Sequence, residues 1–184
     1  DPDLAAEMYE WADMQLTSRD YQEYEISNWA LPGFPSRHNL TYWHNIPYLG
    51  VGPGAHSYLA GYRFSILTSP VEYIQQVSLW RQQLPGHSAN LDASSLQAVP
   101  SVATIETIDL PLEMAETLMM RLRLAEGMEL ADFQQRFGID LFEVYGGVVE
   151  EVVALELAEL VGGKKSQRLR LTPPPFPSVG RGFR

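Results

Sequence analysis

The sequence LEMAETLMMRLRLAEGMELADFQQRFG, residues 112–138, predicts two helices in succession. Apolar side chains recur at helical spacing over residues 112–124, and Glu126-Gly127 ends that pattern. A shorter amphipathic helix is expected over residues 130–137, followed by Gly138 at the position where many helices end in a left-handed residue. The pair has the spacing of a helix-turn-helix, but its surface is acidic. A role in packing or partner binding is therefore favoured over DNA binding.

The segment that follows predicts a third helix and a terminal strand. Asp140 is placed to cap a helix that reaches about residue 161, and Gly146-Gly147 should weaken or break this helix. Gly162-Gly163 turns the chain, and residues 168–171 alternate as in a strand. Three helices and a hairpin strand predict a small, mostly helical domain of winged-helix type.

The N-terminal part of the chain alternates helix and strand patterns. We expect an amphipathic helix over residues 3–17, a single strand over residues 21–29, and an irregular segment over residues 32–47. A hairpin is predicted to turn at Ala60-Gly61, and a helix to begin at Ser69-Pro70. This order is typical of a mixed α+β or α/β chain.

These patterns divide the chain into four expected segments. Residues 1–80 form an α/β part, and residues 81–110 form a linker, a loop or weak strands, with β-branched residues near the end of this segment favouring a strand. Residues 111–172 form the helical domain. Residues 173–184 form a proline-rich tail that cannot be helical and is expected to be disordered.

Composition limits the function of the chain. The 184 residues include no cysteine, which excludes a disulfide, a thiolate nucleophile and cysteine ligation of an iron–sulfur cluster. The net charge of −10 disfavours nucleic-acid binding, because that binding relies on Lys and Arg neutralising phosphates. A local basic group is expected on a solvated hairpin and consists of Lys164, Lys165, Arg168 and Arg170. No apolar run approaches the roughly 20 residues of a membrane span, so a soluble, cytoplasmic protein is expected.

The densest group of aromatic and ligating side chains is the segment HNLTYWH, residues 38–44. Histidine is a common ligand of haem iron, and Tyr42 and Trp43 offer flat faces for stacking on a porphyrin. We take His38 as the candidate metal ligand, Asn39 as the residue that orients its imidazole, and His44 as a competing ligand. The alternative is a buried loop in which these side chains satisfy one another.

A glycine-rich loop is a candidate for part of a cofactor or substrate pocket. It consists of Gly50, Gly52, Gly54 and the adjacent His56. Backbone N–H groups in such a loop can approach a carboxylate or phosphate closely, because no Cβ obstructs them. The alternative is a tight turn at the end of a strand.

Glu25 and Ser27 are a second candidate for such a pocket. Both would lie on the polar face of the first strand, where they could contact a substrate inside a barrel of parallel strands. The alternative is a half-exposed edge strand.

Four blocks of the sequence carry a family resemblance: Tyr24–Ala30, Arg37–Trp43, Tyr48–Ser57 and Glu116–Gly127. The last block is followed by Phe133 and Phe137-Gly138. In this order they resemble consecutive blocks of the HemW branch of the HemW/HemN family of radical SAM proteins. The resemblance extends from about residue 8 to residue 172. The common order of the first three blocks and the short gaps between them argue against chance.

The resemblance implies an open (β/α) radical SAM barrel, of which residues 1–80 would be the last part and its extension, followed by the family's C-terminal domain. It implies S-adenosylmethionine and a [4Fe–4S] cluster as cofactors of the longer protein only, since no CxxxCxxC motif occurs in this sequence. His38, Asn39, Tyr42 and Trp43 match the HNxxYW pattern of the HemW branch, which implies haem binding and a haem-accepting partner protein. The proline-rich end departs from the family's last helix.

Three hypotheses follow. A haem-binding and haem-delivering protein is preferred, because the HNxxYW pattern is intact. A part of an oxygen-independent coproporphyrinogen III oxidase is the second. The third is a packing or interaction fragment, which is favoured if the aromatic segment is buried and His38 is held by protein groups. By itself, the chain is not expected to be an enzyme.

Overall fold

The structure is a computed structural model that describes residues 2–82, 93–163 and 166–172. Its elements, in chain order, are α1 (Pro2–Thr17), β1 (Gln22–Glu25), β2 (Asn28–Ala30), α2 (Arg37–Trp43), β3 (His56–Leu59), β4 (Tyr62–Ile66), α3 (Pro70–Arg81), α4 (Ala93–Gln97), β5 (Val102–Thr107), α5 (Leu110–Arg121), β6 (Met128–Glu129), α6 (Leu130–Phe137), α7 (Leu141–Ala154), β7 (Ala158–Val161) and β8 (Arg168–Leu171). The chain divides into two compact units. The first unit combines residues 1–44 with 117–184, and the second unit is residues 45–116. This division differs from the four expected segments.

The expected single strand at residues 21–29 is instead the antiparallel hairpin of β1 and β2. The chain reverses at Ile26 and at Ser27, whose φ of 67° is left-handed. No glycine marks this turn, so the alternation of polar and apolar residues runs through it without a visible break. The indole N–H of Trp29 donates to the Asp13 carboxylate at 2.7 Å, which ties the hairpin to α1.

The expected irregular segment at residues 32–47 contains the helix α2, which the sequence analysis missed. Ser36 caps it by accepting a hydrogen bond from the Asn39 N–H at 3.3 Å. The helix has seven residues, and none of them is buried. An isolated helix of this length is unstable in water, so contacts of its side chains with the rest of the first unit are needed to hold it.

The second unit is built on the sheet β3-β4-β5. The predicted turn at Ala60-Gly61 is confirmed, with φ values of 52° and 78°. The predicted helix at Ser69-Pro70 is confirmed as α3, which Ser69 caps. The segment 81–110 was expected to be a linker, a loop or weak strands. Part of it forms α4 and β5, whereas residues 83–92 lie outside the described residues. Apolar side chains fill the core of this unit: Tyr58, Phe64, Leu96, Ile108 and Met114.

The C-terminal part of the first unit packs α6 and α7 with the sheet β6-β8-β7. The helix at residues 130–137 and its left-handed Gly138 are confirmed. The expected end of the third helix was wrong, because α7 stops at Ala154 and the following residues form β7. The helix continues through Gly146-Gly147, since burial of Leu141 and Val149 offsets the roughly 1 kcal/mol that each glycine costs.

Two expectations concern residues outside the described ranges. Lys164 and Lys165 of the expected basic group lie there, as does the tail at residues 173–184. The other two members of the group, Arg168 and Arg170, lie on β8 and form ion pairs with glutamates. Among the described helices, none combines the length and the apolar composition required to cross a bilayer.

Candidate functional site

The HNxxYW segment is helical in the structure, and this divides its four characteristic side chains into two pairs. His38 and Tyr42 are four residues apart and therefore share one face of α2. Their rings meet edge to face, with centroids 4.9 Å apart and an interplanar angle of 89°. His38 is exposed. In the described part of the chain, its imidazole forms no hydrogen bond or ion pair, so the ring remains available to a ligand.

Asn39 and Trp43 form the second pair, which lies against the rest of the first unit. The Asn39 side-chain amide donates to the Tyr24 hydroxyl at 3.3 Å. The Trp43 ring is half-buried under the guanidinium of Arg123, whose Cζ lies 4.4 Å from the ring centroid. The amide of Asn39 thus anchors the helix, and the structure shows no bond from it to the His38 ring that it was expected to orient.

His44 follows α2 and is held by arginines. Its Nδ1 contacts Nη1 of Arg121, and Nη2 of Arg121 pairs with the Asp132 carboxylate at 2.8 Å. Arginine only donates hydrogen bonds, so the lone pair of Nδ1 must accept, and the proton of neutral His44 resides on Nε2. Neither ring nitrogen then has a lone pair for a metal. This geometry disfavours His44 as the competing haem ligand.

Burial, and then the positive charge of Arg121, lower the pKa of His44. A histidine with a lowered pKa in the folded state stabilises the fold above its ordinary pKa of about 6.5, and this contribution is lost as the pH falls. We expect His44→Asn to reduce the loss of stability on acidification, because asparagine offers Arg121 an acceptor that does not titrate. The measurement is the free energy of unfolding of both proteins at pH 8 and pH 5.5. Equal losses in both would contradict this assignment.

The glycine-rich loop lies in the second unit and uses its backbone donors internally. The Gly50 N–H donates to the Ser57 hydroxyl at 3.0 Å, and the Gly54 N–H donates to the Leu67 carbonyl at 2.8 Å. A Cβ on Gly50 would lie 2.2 Å from the His56 carbonyl oxygen. These contacts favour the tight-turn interpretation over a cofactor loop. The side chain of His56 is exposed, and the backbone of Gly52 has a left-handed φ of 98°.

Glu25 and Ser27 do not share a strand face, because the chain turns between them. Glu25 ends β1 and is only 1% exposed, whereas Ser27 is exposed in the turn. One carboxylate oxygen of Glu25 accepts from the Asn28 amide, and the other lies 3.6 Å from Nη2 of Arg123. Glu25 therefore serves as the buried partner of a cation, which differs from the expected lumen-facing position.

Sequence reasoning missed Arg121 and Arg123 as residues that contact the motif helix. Both lie in the apolar run MMRLRLA of a chain whose net charge is −10. A cation within an apolar run usually has an anionic or aromatic partner, which was the available signal. The identity of that partner could not be read from the sequence, because Trp43 lies 80 positions before Arg123 in the numbering.

Comparisons with known proteins place these residues in a family. The family model for the HemN C-terminal domain matches residues 108–174. "Heme chaperone HemW" of Lactococcus lactis is 32% identical over 157 residues, which are 84% of this chain and 36% of that protein. "Heme chaperone HemW" of Synechocystis is 34% identical over 134 residues, which are 71% of this chain and 28% of that protein. The chain thus spans about a third of the length of these relatives.

A solved structure confirms the expected fold class. Coproporphyrinogen III oxidase (HemN) from Escherichia coli, a radical SAM enzyme, superposes with a TM-score of 0.58 and 13% identity. The superposition covers 94% of this chain and 38% of that one. At this identity the likeness concerns the fold alone. Together with the sequence relatives, it shows that the chain belongs to the HemW/HemN family and corresponds to the C-terminal part of its members.

Proposed function

We propose that this chain is the C-terminal, haem-binding part of a haem chaperone, and that His38 ligates the iron. The observation that carries the proposal is the exposed His38 ring on α2. The relatives named as haem chaperones support haem as the molecule that is bound. A packing fragment without a small-molecule site was favoured if the aromatic segment were buried and His38 were held by protein groups. No residue of α2 is buried, and the His38 imidazole forms no hydrogen bond or ion pair in the described residues.

The donor set suits haem. Haem supplies its own four equatorial nitrogens and needs from the protein an axial ligand such as an imidazole. In neutral His38 one ring nitrogen carries a lone pair for this purpose. The edge of Tyr42 against the His38 ring restricts the rotation of the imidazole and so lowers the entropy lost on ligation. Tyr42 also presents an aromatic surface on the same helix face as the ligand.

The division of the motif assigns roles to its four residues. His38 and Tyr42 bind haem, whereas Asn39 and Trp43 hold the helix that carries them. Delivery to a haem-accepting protein, and the use of S-adenosylmethionine and an iron–sulfur cluster, belong to the proposal for the longer protein. The present chain supplies no cysteine for such a cluster.

The proposal predicts that His38→Ala weakens haem binding by about 100-fold, since even residues that only support a metal ligand contribute 10- to 100-fold. The measurement is a haemin titration of the chain followed by absorbance near the Soret band. His44→Ala is the matched control, because it removes the second histidine of the segment. The Nδ1 atom of that histidine is already bound by Arg121. We expect His44→Ala to bind with nearly the affinity of the unchanged chain.

Two results would contradict the proposal. The first is saturable binding of equal affinity by the unchanged chain and His38→Ala. The second is a titration in which the unchanged chain shows no saturation, which would leave the packing fragment as the better description.

A further inference from the structure

We propose that Arg123 is a positioning residue that fixes α2, and thereby His38, against the first unit. The role in haem binding rests on the proposed function, whereas the role in fixing α2 is independent of it. Arg123 contacts neither His38 nor Tyr42 among the interactions of the described residues, so it acts through Trp43.

The backbone of Arg123 is fixed against the β1–β2 hairpin. Its carbonyl accepts from the Ile26 N–H at 3.0 Å, and the Ala125 N–H donates to the Tyr24 carbonyl at 3.1 Å. Glu25 and Leu124 form the antiparallel bridge between these two bonds. The backbone position from which the Arg123 side chain extends is therefore fixed by hydrogen bonds of the kind found in a small antiparallel sheet.

The side chain of Arg123 then meets two partners at once. Its Cζ lies over the Trp43 ring, 4.4 Å from the centroid, and its Nη2 lies 3.6 Å from the buried carboxylate of Glu25. A planar guanidinium can stack on a ring while its edge pairs with a carboxylate, which an ammonium group cannot do in the same way. The Nε of Arg123 is buried and has no hydrogen-bond partner in the described residues. The guanidinium is thus placed for stacking more than for hydrogen bonding.

The helix α2 depends on these contacts because it is short and has no buried residue. It spans seven residues and buries none of them. Its two inward side chains contact the two segments that the Glu25–Leu124 bridge joins: Asn39 contacts Tyr24, and Trp43 contacts Arg123. The Trp43 indole N–H is buried without a hydrogen-bond partner in the described residues, so the ring is held by its face. Loss of the guanidinium would leave the Asn39–Tyr24 bond, and the contact of Arg121 with His44 after the end of the helix, to set the inward position of α2.

The first test is hydrogen exchange of residues 37–44 in the haem-free chain, comparing Arg123→Met with Arg168→Met. The two arginines are matched, with side chains 39% and 33% exposed, and both pair with glutamates, but Arg168 lies on β8 and pairs with Glu126 and Glu129. We expect exchange in α2 to accelerate by about tenfold in Arg123→Met, as for a locally opened segment, and to be unchanged in Arg168→Met. Equal exchange in both variants would overturn the proposal.

The second test is the haemin titration of the same variants. We expect about tenfold weaker binding by Arg123→Met, no change in Arg168→Met and partial recovery in Arg123→Lys, at the level of a residue that supports a metal ligand. Faster exchange of α2 with unchanged haem affinity would overturn the role in haem binding. If the unchanged chain binds no haem, the proposed function fails, and hydrogen exchange alone decides the role of Arg123.

Arg123→Met leaves the Glu25 carboxylate buried without its cation, which can unfold the chain. Two further variants avoid this outcome. Arg123→Met combined with Glu25→Gln removes both charges, and Trp43→Leu removes the stacking partner while it leaves the ion pair. Both should accelerate exchange in α2, and slow exchange in both would also overturn the proposal.

Discussion

Gly127→Ala is expected to destabilise the first unit by about 3 kcal/mol, from a left-handed backbone and a steric overlap together. Gly127 has a φ of 69°, which an alanine adopts only with strain. A Cβ at this position would lie 2.3 Å from the Leu169 carbonyl oxygen and 2.5 Å from the Arg170 Cβ. These atoms belong to β8, so the substitution would force β8 away from the turn that follows α5.

Gly138→Ala is the matched control. Gly138 has a nearly equal φ of 73°, but a Cβ there would meet no atom within 4 Å. Only the backbone strain remains, so Gly138→Ala should lower the free energy of unfolding by about 1 kcal/mol. Urea denaturation followed by far-UV circular dichroism measures both. Losses of equal size would show that the close approach of β8 to Gly127 contributes nothing.

Phe133→Ala is expected to cost about 3–5 kcal/mol, the usual range for a buried phenylalanine. Phe133 is 1% exposed, and its ring contacts Phe137 and Tyr145, with centroid distances of 4.7 Å and 6.3 Å. The substitution removes these ring contacts and leaves a cavity where the buried ring of Phe133 lay. The same urea denaturation measures the effect.

Phe142→Ala is the control for this cavity. Phe142 lies on α7 but is 37% exposed, so its removal should cost about 1 kcal/mol. A loss at Phe133 no larger than that at Phe142 would contradict the central position of Phe133 in the core. Because Asp132 precedes Phe133 and pairs with Arg121, the Phe133 variant should also loosen the contact of Arg121 with His44.

The elements that the sequence predicted well carry strong local signals. The helix over residues 130–137 was predicted with the observed bounds, because its apolar periodicity ends at a glycine that takes the left-handed conformation. The turn at Ala60-Gly61 and the helix cap at Ser69 are of the same kind. In each case, the conformational preference of a few adjacent residues is enough to choose the structure.

The elements that were predicted wrongly lack such signals. The β1–β2 hairpin turns without glycine, and α2 is too short to be stable by itself. The end of α7 depends on pairing of β7 with β8, which competes with continuation of the helix. Contacts between distant residues decide these cases, and local propensity does not contain them.

For the candidate site, the sequence by itself supplied the candidate haem-binding residues: the HNxxYW pattern predicts His38 and Tyr42, with Asn39 and Trp43 beside them. Only the tertiary structure decided which of them face outward and which anchor the helix, because contacts of Asn39 with Tyr24 and of Trp43 with Arg123 set the face of α2 that lies against the rest of the first unit. It also showed that Arg121 contacts His44 whereas His38 is exposed, and it revealed Arg123 as the partner of Trp43. Hydrogen bonds, ion pairs and ring stacking join residues far apart in the chain, and their partners are set by packing.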